Sequence, residues 1–327
     1  MLSFKARYLW ALALAVGVGA PGATHAEGRL GATPETGGRA VAPQLALGEI
    51  APALTFTNAS FSTSGVGLRN RLLGSIEAPG NPTTPPRAAY LYWAVITNGA
   101  VPAAARSPKI ARRTAPTVAA KPLTAVQVGT GSSPCWGGTA ITVYRATVPA
   151  SVAKGGGVYE ISFPSGASGT PNNQNPWFGS GFPMLEGASL VLIYNGENTV
   201  SLYDNGLAGK TLLSGTLTYS LRLPRTYSAY LRYDNIGADG QIGFGRQPTA
   251  DTSKEETYVG ATKIAGPGSV YNDSLWNGGI SGPVPQLWDT TAIDLSNTLS
   301  SGLTTLALTH TAASDCITPV ANVVAVR

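Results

Sequence analysis

Charged residues are scarce in this 327-residue sequence, at 12% of the chain, about half the usual fraction. Hydrophobic residues make up 43%. A chain of this length and composition can bury a sizeable core, so we expect a folded protein with an unusually neutral surface. Its 40 glycines and 24 prolines are too few for a collagen-like or low-complexity chain.

Histidine is nearly absent, because one of the two, His25, lies in the predicted signal peptide. The remaining His310 alternates with Leu306 and Leu308, which favours a structural or rim role over a catalytic one. A single histidine cannot build the usual zinc sites, and no G-x-S-x-G elbow occurs. We therefore expect no catalytic triad, no cofactor and no metal site, although calcium held by backbone carbonyls stays open.

Two cysteines are present, Cys135 and Cys316. A single pair in an exported protein usually forms a disulfide, so we predict that these two are bridged. The bridge would tie the middle of the chain to its end. That favours one domain over at least the range between them.

The N-terminus resembles a secretory signal. Lys5 and Arg7 precede an apolar run over 8–20, and Thr-His-Ala at 24–26 is a small-residue cleavage site. We predict a signal peptide over 1–26 and a secreted or cell-surface location, with the periplasm as a further option. Cleavage leaves 20 basic against 17 acidic residues, too small an excess to favour nucleic acid. No later run is long enough for a transmembrane helix, so no membrane span is expected.

Short period-2 runs of β-branched and aromatic residues dominate the rest of the chain, as in 89–95, 140–148 and 189–194. About twelve such runs and no substantial helix in the mature chain predict an all-β fold, a large antiparallel β-sandwich over 51–327. The Gly/Pro/Ala-rich stretch 27–50 is interpreted as a flexible leader.

One turn carries a specific prediction. Asn195-Gly196 separates two of the predicted strands, and both residue types tolerate the positive φ of tight hairpin turns. We therefore expect those two strands to be antiparallel neighbours.

Eight short segments, in order between about Leu54 and Val326, form a recognisable set: Gly65 to Asn70, Tyr90 to Trp93, Pro134 to Trp136, Tyr144-Arg145, Gly187 to Val191, Gly240-Gln241, Leu287 to Thr290 and Asp315-Cys316. Together they resemble an uncharacterised domain of secreted bacterial surface proteins, usually found before Ig-like repeats. The resemblance implies a β-sandwich of jelly-roll type, exposure on or outside the cell, and no catalytic residues.

Two turn-rich loops join amide side chains to large aromatic rings, a combination that suits a sugar or a peptide. The predicted ligand-binding residues are Asn173, Asn175, Trp177 and Phe178 in the first loop and Tyr271, Asn272 and Trp276 in the second. The alternative is that Trp177 and Trp276 fill the ends of the sandwich.

Two other features have open interpretations. The basic stretch from Pro102 to Pro122 holds five cations and no acid, which indicates either a solvated loop or a weak patch for polyanions. Glu160 and Glu186 are the best carboxylate pair for a hydrolase, although alternation turns Glu160 outward.

The sequence therefore predicts a non-catalytic, exported binding or structural protein, adhesive or glycan-binding, whose partners are extracellular glycans or surface polymers. One alternative is a carboxylate-based hydrolase of polysaccharide or peptide. Another is a self-assembling surface fibre subunit, with the leader up to Leu54 as an inserted strand.

Overall fold

In the computed structural model, the segments in which apolar and polar residues alternate are β-strands, as the sequence predicts. The structure describes residues 44–113, 119–134, 136–171, 181–239, 255–266, 268–269, 287–312 and 316–327. Within these ranges the secondary structure is eighteen β-strands and one turn of 3-10 helix, Ala103–Arg106. The chain is therefore all-β, with more strands than the dozen predicted.

The first nine strands are β1 (Gln44–Ile50), β2 (Leu54–Gly67), β3 (Leu73–Ala78), β4 (Ala88–Thr97), β5 (Lys109–Arg112), β6 (Lys121–Pro122), β7 (Val126–Ser132), β8 (Ala140–Thr147) and β9 (Gly157–Ser162). The second nine are β10 (Met184–Asn195), β11 (Asn198–Tyr203), β12 (Gly215–Arg222), β13 (Leu231–Ala238), β14 (Thr257–Val259), β15 (Thr262–Ala265), β16 (Trp288–Asp294), β17 (Thr305–Ala312) and β18 (Thr318–Val326).

These strands form three sheets. The largest has nine strands in the order β16-β13-β18-β11-β2-β10-β4-β8-β7. A five-stranded sheet has the order β1-β12-β17-β14-β15, and a four-stranded sheet the order β3-β9-β5-β6. All pairs are antiparallel except β1 with β12.

The nine-stranded sheet folds back on itself, so that its two halves face each other. In a flat sheet β2 and β13 would lie about 14 Å apart, because β11 and β18 separate them. Yet the Arg232 guanidinium carbon on β13 lies 4.5 Å from the centre of the Phe61 ring on β2. Thr63, also on β2, donates a hydrogen bond to Asp234 on β13. Asn58, at φ 49°, lies within β2 where the pairing with β11 shifts between Ala59 and Phe56.

Three buried cores follow from this folding, and they give four stacked layers. Between the two halves of the large sheet lie side chains such as Tyr92, Val191, Leu202 and Trp288. The outer face of the β2-to-β7 half packs on the four-stranded sheet around Trp93, Tyr159 and Leu190. The outer face of the other half packs on the five-stranded sheet around Leu217, Tyr233 and Leu308.

The predicted hairpin at Asn195-Gly196 is wrong. Strands β10 and β11 do not pair with each other, because β2 lies between them and pairs with both. At the crossing, a Cβ on Gly196 would lie 2.7 Å from the Ala59 backbone, so a glycine is required for close approach to β2 rather than for a hairpin turn.

The predicted leader is wrong over its last seven residues. β1 occupies Gln44–Ile50 and pairs in parallel with β12, so this stretch is a strand of the five-stranded sheet. Its leucines, Leu45 and Leu47, pack against the core, an alternation too short to stand out beside the glycines and prolines that precede it.

Candidate functional site

The seven predicted ligand-binding residues, Asn173, Asn175, Trp177, Phe178, Tyr271, Asn272 and Trp276, lie outside the described residues, and their role stays a prediction. The described residues that border these two undescribed stretches, however, contact one region of the fold. Thr170 Oγ1 donates a hydrogen bond of 2.5 Å to Asn70 Oδ1. Asp239 N donates to the Leu287 carbonyl over 3.1 Å.

Asp239 belongs to a group of side chains that we call the Arg69 cluster: Arg69, Trp136, Glu186 and Asp239. Arg69, Glu186 and Asp239 are buried and Trp136 is half-buried, and Asn70 directly follows Arg69 in the chain. Arg69 Nη2 donates to Glu186 Oε2 and, over 3.0 Å, to Asp239 Oδ1. Trp136 Nε1 donates to the same Asp239 oxygen over 2.8 Å. The Arg69 guanidinium also lies 4.4 Å from the Trp136 ring centre, which adds a cation–π contact.

Four different parts of the chain supply the cluster. Arg69 follows the end of β2, Asp239 follows the end of β13, and Trp136 lies between β7 and β8. Glu186 lies in β10 where the pairing with β4 shifts by one residue between Leu185 and Gly187. Such an irregularity changes the direction in which a strand side chain points, and here it accompanies a carboxyl that contacts Arg69.

Gly187, beside Glu186, permits this packing. A Cβ at this position would lie 2.3 Å from the Trp288 ring, closer than any real contact. Trp288 is fully buried, and its Nε1 donates to Ser189 Oγ over 2.8 Å. The Trp288 indole therefore packs directly against β10 beside Glu186.

The backbone around the cluster is strained. Among the described residues, five non-glycine residues have positive φ, and four of them lie in or directly beside the Arg69 cluster: Asn70 (61°), Trp136 (59°), Asp239 (71°) and Leu287 (55°). Each such conformation costs on the order of 1 kcal/mol, and such costs concentrate at binding and catalytic sites. The surroundings must be rigid enough to hold all four.

Electrostatics favour a proton on Glu186. Arg69, Glu186 and Asp239 are each at most 2% exposed. Burial raises the pKa of Glu186 to about 8; Arg69 opposes the rise, and the Asp239 charge adds to it. Burial also raises the pKa of Asp239, again opposed by Arg69. A protonated Glu186 makes the group of one cation and two carboxyls neutral overall, which suits a site without solvent.

Four polar atoms of the cluster have no hydrogen-bond partner within the described part of the chain: Arg69 Nε, Arg69 Nη1, Glu186 Oε1 and Asp239 Oδ2. Two carboxyls that share one cation, each with a pKa raised by burial, resemble an acid–base pair in chemistry. Complete burial, however, keeps both from contacting a polymeric substrate. The arrangement is better suited to fixing the bases of the loops that leave from it.

Those loop bases are close together. Gly169 and Gly181 flank the first loop, and a Cβ on Gly169 would lie 2.2 Å from the Gly181 backbone. Leu287 is the first described residue after the second loop, and its carbonyl accepts a hydrogen bond from Asp239 N. The undescribed stretch 240–254 follows Asp239 directly. Three chain segments therefore begin or end at the Arg69 cluster.

The other predicted candidates lie elsewhere. His310 is buried, with Nε2 at 2.9 Å from Tyr219 Oη and Nδ1 at 2.9 Å from Thr257 Oγ1. Burial lowers its pKa to about 3, so it is neutral in the fold. The structural reading of His310 is confirmed, and it lies in the core beside the five-stranded sheet.

Glu160 does not join Glu186. It projects outward from β9 and forms an ion pair of 2.8 Å with Arg113. The expected outward direction is confirmed, and the catalytic pairing of Glu160 with Glu186 is wrong. Part of the basic stretch is also engaged in structure, because Arg112 donates to the Pro82 carbonyl over 2.9 Å.

Cys316 is buried at 5% exposure, and no cysteine is free in the part of the chain that the structure describes. Its predicted partner Cys135 lies outside the described residues, so the pairing itself stays a prediction.

Sequence reasoning missed three of the four cluster residues as a site: Arg69, Trp136 and Asp239. Their positions are separated by more than fifty residues from one another, so no local spacing marks them. The available signal was that each falls in or beside a segment of the family resemblance.

The described residues contain neither a metal-binding cluster nor a membrane-spanning helix. No group of three or more metal-ligating side chains is present there. No helix there is long and apolar enough to cross a membrane.

Comparisons with known proteins identify no family. No family model matches the chain, and no curated protein matches it. A structure of the Sputnik virophage is similar over 82% of this chain and 85% of its own, at 10% identity and a TM-score of 0.22. The CUB1-EGF-CUB2 domain of human MASP-1/3 is similar over 78% and 99%, at 10% identity and a TM-score of 0.19. Scores this low carry no argument about this chain.

Proposed function

We propose that this is an exported, non-catalytic binding protein that uses the loops over 172–178 and 271–277 to contact an extracellular glycan or surface polymer. One observation supports the proposal: the described residues that border both loops contact the same region of the fold. Thr170, just before the first loop, donates to Asn70 beside the Arg69 cluster, and Leu287, the first described residue after the second loop, accepts a hydrogen bond from Asp239. The two loops, which the sequence predicts separately from their amide and aromatic side chains, are thus bordered by residues in or beside the Arg69 cluster.

The physical design fits binding. Loops on a rigid scaffold commonly carry recognition, and the cluster supplies rigidity through buried ion pairs and strained backbone. A surface with few charges cannot attract partners over long range, so affinity must come from ring stacking and local hydrogen bonds. Trp177 and Trp276 are the rings best placed in sequence to supply stacking.

Burial argues against catalysis by the described candidates. Glu186 and His310 have no exposed surface, and Asp239 has 1%. A group that acts on a polymer must reach the scissile bond within hydrogen-bonding distance. Export rests on the signal peptide predicted over 1–26.

A glycan array probed with the mature protein tests this function. We expect wild type to bind a restricted set of glycans, and Trp177→Ala or Trp276→Ala to weaken binding several-fold. Tyr258→Ala, a half-buried tyrosine on the five-stranded sheet, is the control and should bind as wild type does. If no glycan or surface polymer is bound, or if both tryptophan variants bind unchanged, the proposal is wrong.

Thermal melts of the same variants separate binding from packing. Loss of a tryptophan that fills the core costs about 3–5 kcal/mol, whereas a ligand-contacting ring on a loop costs much less. A large loss in both variants assigns both rings to packing and removes this site.

The alternative, a carboxylate-based hydrolase, has one observation in its favour: Glu186 and Asp239 both contact Arg69, and burial raises the pKa of both carboxyls. Release of reducing sugar or of peptide fragments tests it. Activity that disappears in Glu186→Gln while the fold is retained would favour the hydrolase over the binding protein.

A further inference from the structure

Strand β1 is attached to the fold differently from the strands around it. It lies at the edge of the five-stranded sheet and is hydrogen-bonded to β12 on one side. That pair is parallel, and the partners are distant in sequence, as in Gln44 with Thr216 and Ile50 with Leu221. No local turn holds β1 in place, because residues 51–214 intervene.

Pairing within β1 is also interrupted. The register shifts between Ala46 and Glu49, where Gly48 has φ 74°. A bulge of this kind breaks the ladder of hydrogen bonds. The one ion pair from this strand, Glu49 with Arg222 at 3.6 Å, joins side chains that are at least half exposed, so it contributes little.

The apolar side of β1 nevertheless fits a defined position. Ile50 is buried in the core beside the five-stranded sheet, and Leu45 and Leu47 pack against the same core while partly exposed. Without β1, the edge of β12 and this margin of the core would be open. The fold therefore contains a groove whose shape and backbone hydrogen bonds select this strand.

The connection to β2 forms a natural hinge. Only Ala51, Pro52 and Ala53 separate β1 in one sheet from β2 in another. Ala53 N donates to the Leu202 carbonyl over 2.8 Å, which fixes the start of β2. Rotation at Ala51 and Pro52 would release β1 without breaking a pair between β2 and β11.

We propose that β1 is exchanged between copies of this chain: the β1 strand of one copy occupies the position beside β12 in a second copy. The occupant is identical in sequence to the strand it replaces, so all side-chain contacts and the parallel register are kept. Exchange changes only the conformation of the link between β1 and β2, as is usual in domain swapping. The proposal is independent of the ligand-binding loops, which leave from the Arg69 cluster.

A cross-linking experiment tests this exchange with two single variants of the mature protein, Ala46→Cys and Thr218→Cys. These positions are direct partners across the β1–β12 pair, at a spacing suited to a disulfide. The two proteins are mixed at high concentration in a glutathione redox buffer and analysed without reduction. Because each chain carries one engineered thiol, a bridge between positions 46 and 218 can form only between two copies.

Two controls make the result decisive. Ala46→Cys mixed with Thr262→Cys, an exposed position at the far edge of the same sheet, measures non-specific cross-linking. The double variant, with both cysteines in one chain, shows whether the pair can close.

We expect the 46–218 adduct several-fold above the Thr262 control, and a double variant that stays monomeric once its internal bridge has formed. If the double variant closes its bridge but the mixed single variants give no more adduct than the control, strand exchange is refuted. If the double variant fails to close, β1 does not lie beside β12 as described, and the proposal is equally refuted.

Discussion

Replacement of Glu186 by glutamine should change how stability depends on pH. Glutamine has nearly the shape of a protonated glutamate, so it keeps an oxygen that accepts from Arg69 and removes the titration. In the wild-type fold the pKa of Glu186 is raised from 4.5 to about 8, chiefly by burial. Between these values the folded chain holds a proton that the unfolded chain releases. Wild-type stability therefore falls as pH rises through this window.

The size of the effect follows from the pKa difference. A rise in the pKa of Glu186 from 4.5 to about 8 corresponds, at about 1.4 kcal/mol per pKa unit, to a loss of at most roughly 5 kcal/mol of unfolding free energy at high pH. For a domain of this size, about 1 kcal/mol shifts the melting temperature by roughly 2–4 °C. We therefore expect Glu186→Gln to match wild type near pH 5 and to exceed it by about 10 °C near pH 9.

Thermal or urea unfolding at pH 5, 7 and 9 measures this difference. His310 has its pKa lowered to about 3, so its contribution is lost as pH falls from about 6.5, but equally in both proteins. Glu160→Gln, which removes the exposed ion pair with Arg113, is the control and should track wild type. A Glu186→Gln protein that is less stable than wild type at every pH would refute the neutral, protonated cluster.

Three further outcomes follow from the structure. Gly187→Ala should lower the free energy of unfolding by roughly 1–3 kcal/mol in urea melts, because the added Cβ would overlap the Trp288 ring. Gly99→Ala is the control and should change stability little, because the space around Gly99 is open. Equal effects would contradict the packing at Gly187. His310→Gln should lower the free energy of unfolding by about 1–3 kcal/mol, because the hydrogen bonds to Tyr219 and Thr257 are lost, and should abolish no hydrolytic activity. An esterase or peptidase activity that disappears in the folded variant would contradict the structural role of His310. Intact mass with and without reduction should show Cys135 and Cys316 bridged in exported protein, and two free thiols would refute the bridge.

The fold class could be predicted because period-2 alternation is a local signal. Runs such as 89–95 and 140–148 identify strands directly. Pairing could not be predicted in the same way. Asn195-Gly196 has the local chemistry of a hairpin, but β2, which ends at Gly67 far earlier in the chain, lies between the two strands. Which strand occupies a gap is decided by packing across the whole sheet.

The candidate site was only partly accessible from sequence. Glu186 was identified as a notable acid, with Glu160 as its partner, because both flank strands in the middle of the chain. Its actual partners, Arg69 and Asp239, come together through the folding of the large sheet and a bulge in β10. Neither feature has a short-range pattern.

A titration of one bound glycan tests the central claim most directly. If both loops lie beside the Arg69 cluster and contact one ligand, calorimetry should give one glycan bound per chain. The affinity should fall several-fold in Trp177→Ala and in Trp276→Ala, and further in the double variant. A stoichiometry of two, with each variant removing a different site, would contradict a shared site at the Arg69 cluster, as would unchanged affinity in all three variants.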